Sequence, residues 1–124
     1  HGAQACTLDE LVAQSDAISL HVPLVPETRG LFGAARIAAM KPRSVLINTA
    51  RGPVVDLDAV TQALRDGHLA GAAIDVFDPE PPPDPARFLG VPGLLLTPHI
   101  AGVSAQSNTR VSELIASRVL EVLG

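Results

Sequence analysis

Four residues of this chain have the types that acid–base chemistry on a small organic acid requires: Arg51, Asp75, Glu80 and His99. A histidine titrates close enough to neutrality to trade a proton with an oxygen of a bound molecule. A carboxylate on the far ring nitrogen fixes the tautomer and stabilises the imidazolium. An arginine forks onto a carboxylate with two parallel N–H donors and polarises an adjacent carbonyl. Together these types suit interconversion of a 2-hydroxy and a 2-oxo acid, in which a proton moves on the oxygen while a hydride leaves or joins the carbon. The hydride part of such chemistry belongs to a nicotinamide cofactor.

The elements around these residues read as alternating helices and strands. Thr7-Leu8-Asp9-Glu10 is a capping box, and Leu8, Leu11 and Val12 repeat on one face, which predicts a short helix over about 8–14. Asp16 to Val22 is β-rich and stops at Pro23, which predicts a strand. A short helix over Ala34 to Met40 ends at Pro42, and the apolar run Ser44 to Asn48 is a buried strand. Asp56 caps a helix with Leu57, Val60 and Leu64 on one face, and Gly67 stops it. Ala72 to Val76 and Leu94 to Thr97 are two further strands. Residues 78–85, with five prolines, form a stiff loop between them. From about Ser104 the spacing of Val111, Leu114, Ile115, Val119 and Val122 is that of a long amphipathic helix. Apolar strands alternating with helices imply an α/β fold with a parallel sheet of about four strands and flanking helices. No linker rich in Gly and Ser divides the chain, so residues 1–124 read as one domain.

In open parallel sheets, ligands bind beyond the carboxyl ends of the strands. Pro23 and Leu24 follow the first strand and Thr49-Ala50-Arg51-Gly52 the second. Asp75 lies near the end of the third, followed by Asp78-Pro79-Glu80, and Pro98-His99-Ile100-Ala101-Gly102 follow the fourth. One Arg, one Asp, one Glu and one His are therefore delivered to a single sheet edge, which a core does not require and a reaction centre does. Taken singly, each has a plainer reading. An Arg after a strand is most often a surface ion pair, a Glu among prolines is usually solvated, Asp75 serves equally well as a carboxylate bonding loop amides, and His99 as a cap on a carbonyl. His1, His21 and His68 read as uninvolved, with His21 the nearest of the three to the strand-end edge.

Composition narrows the classes. The net charge of -4 gives no footprint for nucleic acid or an anionic membrane. No apolar run approaches the roughly 20 residues of a membrane-spanning helix. The first residues have neither the basic nor the apolar stretch of a signal peptide and no initiator Met, so they read as a fragment start or a processed end. The single Cys6 allows no internal disulfide and suits a reducing cytoplasm. No His or Cys spacing suits a metal, and no serine or cysteine stands in a nucleophile elbow.

Three stretches resemble the D-2-hydroxyacid dehydrogenases, the family of phosphoglycerate dehydrogenase: LDELVAQSDAISLHVPLVPETRGLFG from Leu8, MKPRSVLINTARGPVVDLDAVTQALRDGHLAGAAIDVFDPEP from Met40, and LTPHIAG from Leu96. The resemblance implies a Rossmann-like sheet and the roles that go with it. Arg51 in NTARG would bind the substrate, Glu80 in DPEP would pair with the catalytic histidine, and His99 in TPHIAG would be the general acid/base. Asp75 in AIDVF would hold the nicotinamide carboxamide. Val22-Pro23, Thr49-Ala50 and Ala101-Gly102 would line the cofactor beside Arg51 and His99. The implied cofactor is NAD, with NADP also open, and the implied partners are a small 2-hydroxy or 2-oxo acid and a second copy of the chain in a homodimer. The run GVSAQSNTRVSELIA from Gly102 is similar to members acting on sulfonated or phosphorylated three-carbon acids.

The family's GxGxxG loop, which cradles the pyrophosphate on a helix N-terminus, and the acidic residue that holds the ribose are not among these 124 residues, nor is its substrate domain. Two readings follow. In the first, the chain is the C-terminal half of a nucleotide-binding domain within a longer NAD(P)-dependent oxidoreductase. In the second it is a truncated and inactive remnant, at most an oligomerisation or dinucleotide-sensing module, whose open strand edge and helix face favour self-association.

Overall fold

A computed structural model of the protein describes residues 2–124; His1 lies outside the described residues. Four parallel strands, β1 (Ala17–Leu20), β2 (Val45–Asn48), β3 (Gly71–Ile74) and β4 (Leu94–Leu96), form one sheet in the order β1-β2-β3-β4. Between and around them run α1 (Leu8–Gln14), α2 (Ala34–Ala38), α3 (Leu57–Arg65) and α4 (Ala105–Leu123), with short 3₁₀ turns at Pro26–Thr28, Gly52–Val54 and Pro85–Phe88. The alternation read from the sequence is therefore the observed one, and the element ends differ from the expected ones by a residue or two. β1 stops at Leu20 rather than Val22, α2 at Ala38 rather than Met40, and β3 at Ile74 rather than Val76.

Local chemistry sets these elements. Thr7 Oγ1 accepts from the Glu10 N–H at 3.3 Å, and Glu10 Oε2 accepts from the Thr7 N–H at 2.8 Å, the expected capping box. Those bonds from Thr7 hold the Glu10 carboxyl below the usual carboxylate range. At α3, Asp56 Oδ1 accepts from the N–H groups of Asp58 and Ala59, both at 3.0 Å. Past its end Gly67 adopts φ 72°, a left-handed turn that favours glycine. Gly93 also has φ 69°, and a Cβ there would lie 2.7 Å from the Ala70 carbonyl oxygen, so the entry to β4 admits no side chain.

Packing is one-sided. The register aligns Ile18, Leu46, Ala72 and Leu94 in one row across the sheet. The first three are buried in a core with Val12 of α1, Ile37 of α2, and Val60, Ala63 and Leu64 of α3. The neighbouring row, Ser19, Ile47, Ala73 and Leu95, belongs to the opposite face. Ser19 and Leu95 are exposed there, and Ile47 and Ala73 half-buried. The flanking helices expected from the sequence therefore cover one face of the sheet in the described residues. The amphipathic helix expected near the C-terminus forms as α4, capped by Ser104 Oγ, which accepts from the Ser107 N–H. None of its residues is buried. Residues 8–96 thus form a sheet with three helices on one face, and the candidate residues stand at or beyond its carboxyl edge.

Because Asp56 satisfies two otherwise orphaned amides of α3, Asp56→Ala is expected to destabilise the fold by about 1 kcal/mol. The check is the midpoint of urea unfolding followed by circular dichroism, with the slope of the transition unchanged.

Candidate active site

Asp75 stands one residue beyond β3 and is 3 % exposed. Its Oδ1 accepts from the Thr97 hydroxyl and, at 2.9 Å, from the Ile100 N–H; its Oδ2 accepts from the Ala101 N–H at 2.9 Å. Its backbone joins the same structure: the Asp75 N–H donates to the Asn48 carbonyl at 3.0 Å, and the Asp75 carbonyl accepts from the His99 N–H at 2.8 Å. Burial raises the Asp75 carboxyl, but the hydrogen bonds from Thr97, Ala101 and Ile100, with the nearby His99, outweigh it and hold the group below the usual carboxylate range. The side chain was read from sequence as either a loop-bonding carboxylate or a cofactor contact. Its geometry shows the first and leaves one acceptor position on Oδ2 open for the second.

The loop so gathered carries His99. The residue has φ 55°, a left-handed conformation that a side chain rarely adopts and that costs on the order of 1 kcal/mol. The hydrogen bonds on either side of it, from His99 N–H to the Asp75 carbonyl and from Ile100 and Ala101 to its carboxylate, hold that turn. The outcome is a placed ring: His99 Nδ1 lies 2.8 Å from Glu80 Oε2, with both side chains part-exposed. Glu80 is fixed from its own side as well, since its Oε1 accepts from the Phe77 N–H at 2.7 Å. The hydrogen bond with His99, then the one from Phe77, hold the Glu80 carboxyl below its ordinary range, so it is ionised at neutral pH. Among the described residues the other ring nitrogen, Nε2, has no protein partner. A histidine with one nitrogen on a carboxylate and the other open is competent to give and take a proton.

Arg51 follows β2. Its guanidinium donates to the Ala50 carbonyl at 2.6 Å and, among the described residues, makes no ion pair with Glu80. The arginine shares an open recess of about 480 Å³ with His21, Val22, Pro23, Leu24, Thr49 and Ala50. The two groups of sequence candidates thus fall into adjacent halves of one edge. Asp75, Glu80, His99 and Ala101 are joined directly by hydrogen bonds, and Val22, Pro23, Thr49, Ala50 and Arg51 line the recess. Gly102 follows the His99 turn with open space around it. Of the histidines set aside, His68 Nε2 meets the Ile37 carbonyl at 3.1 Å on the far side of the core, and His21 Nε2 pairs with Ser19 Oγ at 2.8 Å beside the recess.

The residues fit a nicotinamide ring more than a whole dinucleotide. An ionised carboxylate offers about four acceptor positions, and Asp75 uses three, which leaves one on Oδ2 for a carboxamide N–H. No glycine-rich turn at a helix N-terminus is present in the sequence to grip a pyrophosphate.

Residues 1–101 match the family described as D-isomer specific 2-hydroxyacid dehydrogenase, NAD binding domain. The chain belongs to that family. It is similar to the (S)-sulfolactate dehydrogenase of Chromohalobacter salexigens, 50% identical over 117 residues, which span 94% of this chain and 38% of that protein. A glyoxylate reductase of Thermofilum pendens is 45% identical over 116 residues, 94% of this chain and 34% of the reductase. Among solved structures, the NAD-dependent formate dehydrogenase of Staphylococcus aureus in complex with NAD superposes with a TM-score of 0.78 at 37% identity, over 96% of this chain and 36% of that one. The chain therefore spans well under half the length of the relatives it matches. The family resemblance read from the three motifs and the α/β, Rossmann-like parallel sheet are both borne out.

Sequence reasoning passed over three residues that build this edge. Thr97 supplies a hydroxyl to Asp75. Asn48 is 1 % exposed and bonds within the Arg51 loop. Gly52 passes beneath the Phe77–Asp78 peptide so closely that a Cβ would lie 2.2 Å from the Phe77 carbonyl carbon and oxygen. The signal for the last two lay in the motif NTARG, whose Asn and Gly were read only as neighbours of the arginine.

Because the folded-state pKa of Asp75 is depressed, its contribution to stability is complete above the ordinary aspartate pKa of about 3.9 and is lost as pH falls through the lower folded value. Asp75→Asn is expected to be less stable than wild type at pH 7, with the gap closing below about pH 4. Thermal unfolding of both proteins between pH 7 and pH 2.5 checks this; a gap that does not narrow in acid refutes it.

Proposed function

We propose that this domain supplies the catalytic residues and the nicotinamide side of an NAD(P)-dependent dehydrogenase that interconverts a D-2-hydroxy acid and its 2-oxo acid. The observation that carries the reading is the Glu80–His99 pair at 2.8 Å, with Glu80 ionised and the second ring nitrogen open. In the direction of reduction, His99 donates from Nε2 to the 2-oxygen as charge builds there, and Glu80 steadies the ring that has the proton to give. In oxidation, His99 withdraws the hydroxyl proton and Glu80 stabilises the imidazolium that results. Arg51 forks onto the substrate carboxylate and holds the 2-carbon at the recess. When bound, the nicotinamide supplies or takes the hydride. The free acceptor position of Asp75 would orient its carboxamide, with Val22, Pro23, Thr49, Ala50, Ala101 and Gly102 along its length. The lone, exposed Cys6 supports placement in a reducing cytoplasm.

The names of the relatives support the substrate class: sulfolactate, glyoxylate and 3-phosphoglycerate are small acids with a carboxylate beside the hydroxyl-bearing or aldehyde carbon. In the full-length protein carrying this domain, turnover of at least one of these three with NAD(H) or NADP(H) is expected. His99→Ala should lower kcat/KM by about 10²–10⁴-fold while leaving NADH affinity within about twofold. Arg51→Lys should raise substrate KM and lower kcat together, because an ammonium cannot fork onto a carboxylate. Matching losses of NADH affinity in both variants would contradict the assigned roles.

A second reading, in which the 124-residue chain by itself is an association module and a homodimer forms through it, is favoured by one observation. Leu95, Val111, Leu114, Ile115, Val119 and Leu120 are all exposed, and β1 is an open sheet edge. Sedimentation velocity of the isolated chain is expected to give species larger than a monomer; a clean monomer that binds no apolar dye would remove this reading.

A further inference from the structure

Arg51 needs an external brace. Its guanidinium donates only to the carbonyl of the residue before it, and the side chain stands on a loop outside the sheet. A fork that must meet a carboxylate within a few tenths of an ångström gains nothing from an arginine whose backbone can drift.

The brace is Asn48, the last residue of β2, with 1 % of its surface exposed. Asn48 Oδ1 accepts from the Ala50 N–H at 3.0 Å, and Asn48 Nδ2 donates to the Arg51 carbonyl at 3.0 Å. One side-chain amide therefore grips both ends of the Ala50–Arg51 dipeptide. Its own carbonyl accepts from the Asp75 N–H at 3.0 Å, so the grip is anchored to the strand that also sets the His99 turn. The match is chemically narrow. The site presents one backbone donor and one backbone acceptor, and at this side-chain length an asparagine offers one of each at every pH, an aspartate only when protonated. A residue serving burial alone at this position, in a row with Leu20, Ile74 and Leu96, would be aliphatic.

We infer that Asn48 is the positioning residue for Arg51, fixing the direction of the guanidinium by holding the backbone at both ends of the Ala50–Arg51 dipeptide. This rests on the dehydrogenase reading above, in which Arg51 receives the substrate carboxylate. It also makes Asn48 a determinant of substrate affinity that touches neither substrate nor cofactor.

The test is Asn48→Asp in the full-length protein, with glyoxylate as the probe, or sulfolactate or 3-phosphoglycerate if the wild type prefers one of them. The substitution keeps the shape and the acceptor for Ala50 but removes the donor to Arg51 and sets a carboxylate against a carbonyl. At pH 8, the expected result is a substrate KM raised about tenfold with NADH affinity within about twofold of wild type. Burial and the facing carbonyl raise the pKa of the introduced carboxyl, and its protonated form regains a donor. The variant-to-wild-type KM ratio should therefore fall toward one as pH drops from 8 to about 5.5. Asn48→Ser, too short to span the dipeptide, should show the raised KM at every pH, and it carries the comparison if the carboxylate variant folds poorly. Normal KM in both variants, or KM and NADH affinity weakening together with a pH-independent ratio, overturns the assignment. A wild-type protein that turns over none of the three acids removes the dehydrogenase reading and this inference with it, whereas an active wild type with a flat ratio removes the inference alone.

Discussion

The site depends on one buried carboxylate. Asp75 takes a hydroxyl from Thr97 and amides from Ile100 and Ala101, gives its own amide to Asn48 and accepts the amide of His99. Those five hydrogen bonds extend the β2–β3–β4 ladder past the last strand residues and turn its end into a scaffold. A carboxylate shielded from water is costly unless its lone pairs are used, and here three of about four are. The desolvation that would raise its pKa is overcome by the donors that also shape the loop. Stability and geometry are therefore the same interaction, and neutralising Asp75 would leave the His99 turn without the anion that holds its amides together. The left-handed conformation of His99 is affordable only in that setting.

A second constraint is steric. The Gly52 backbone lies against the Phe77–Asp78 peptide with no room for a methyl group, although its φ lies outside the left-handed range in which glycine is favoured for conformational reasons. Space, not conformation, excludes a side chain. This contact brings the loop after β2 and the loop after β3 to touching distance, and the second loop is the one in which the Phe77 N–H fixes Glu80. Arg51 and Glu80 make no direct bond, yet the backbones that carry them are in register because two main chains meet without an intervening side chain. The catalytic pair and the substrate-binding arginine of the proposed mechanism are thus mechanically adjacent while chemically independent.

Much of this was legible in the sequence, for physical reasons that differ by residue. Helical and strand periods placed all four strands and four helices, since burial against one core imposes those periods directly. Arg51, Glu80 and His99 stood out as candidates because their types converge on one sheet edge, although each alone reads as an ordinary surface residue. Asp75 was ambiguous because a carboxylate that orders a loop and one that meets a ligand have the same sequence; only the partners of its oxygens separate them. Asn48 and Gly52 were missed because they act on backbone atoms, which carry no letter in the sequence. How many faces of the sheet the helices cover is unreadable for a related reason. An apolar strand such as Val45–Asn48 reads the same whether helices cover one side or two, and Leu95 at 61 % exposure is the clearest sign that one side is open.

The division of labour in the chain follows from which contacts are local. The placement of His99, Glu80 and Arg51 is determined by hydrogen bonds among residues 48–101, all within three neighbouring strands and their loops. That geometry needs no contribution from the bare face of the sheet or from α4. A dinucleotide is another matter, because its affinity rests largely on a phosphate grip that these residues do not provide. A set of catalytic side chains can be fully preorganised and still have nothing to act with when the anchoring half of the ligand site lies elsewhere. Preorganisation and affinity are separable here, because the first is built by the carboxyl ends of β2, β3 and β4 and the second requires a glycine-rich turn on a further strand. The edge of β1 has no strand partner among the described residues, and the face that carries Leu95, at the other end of the sheet, is open as well.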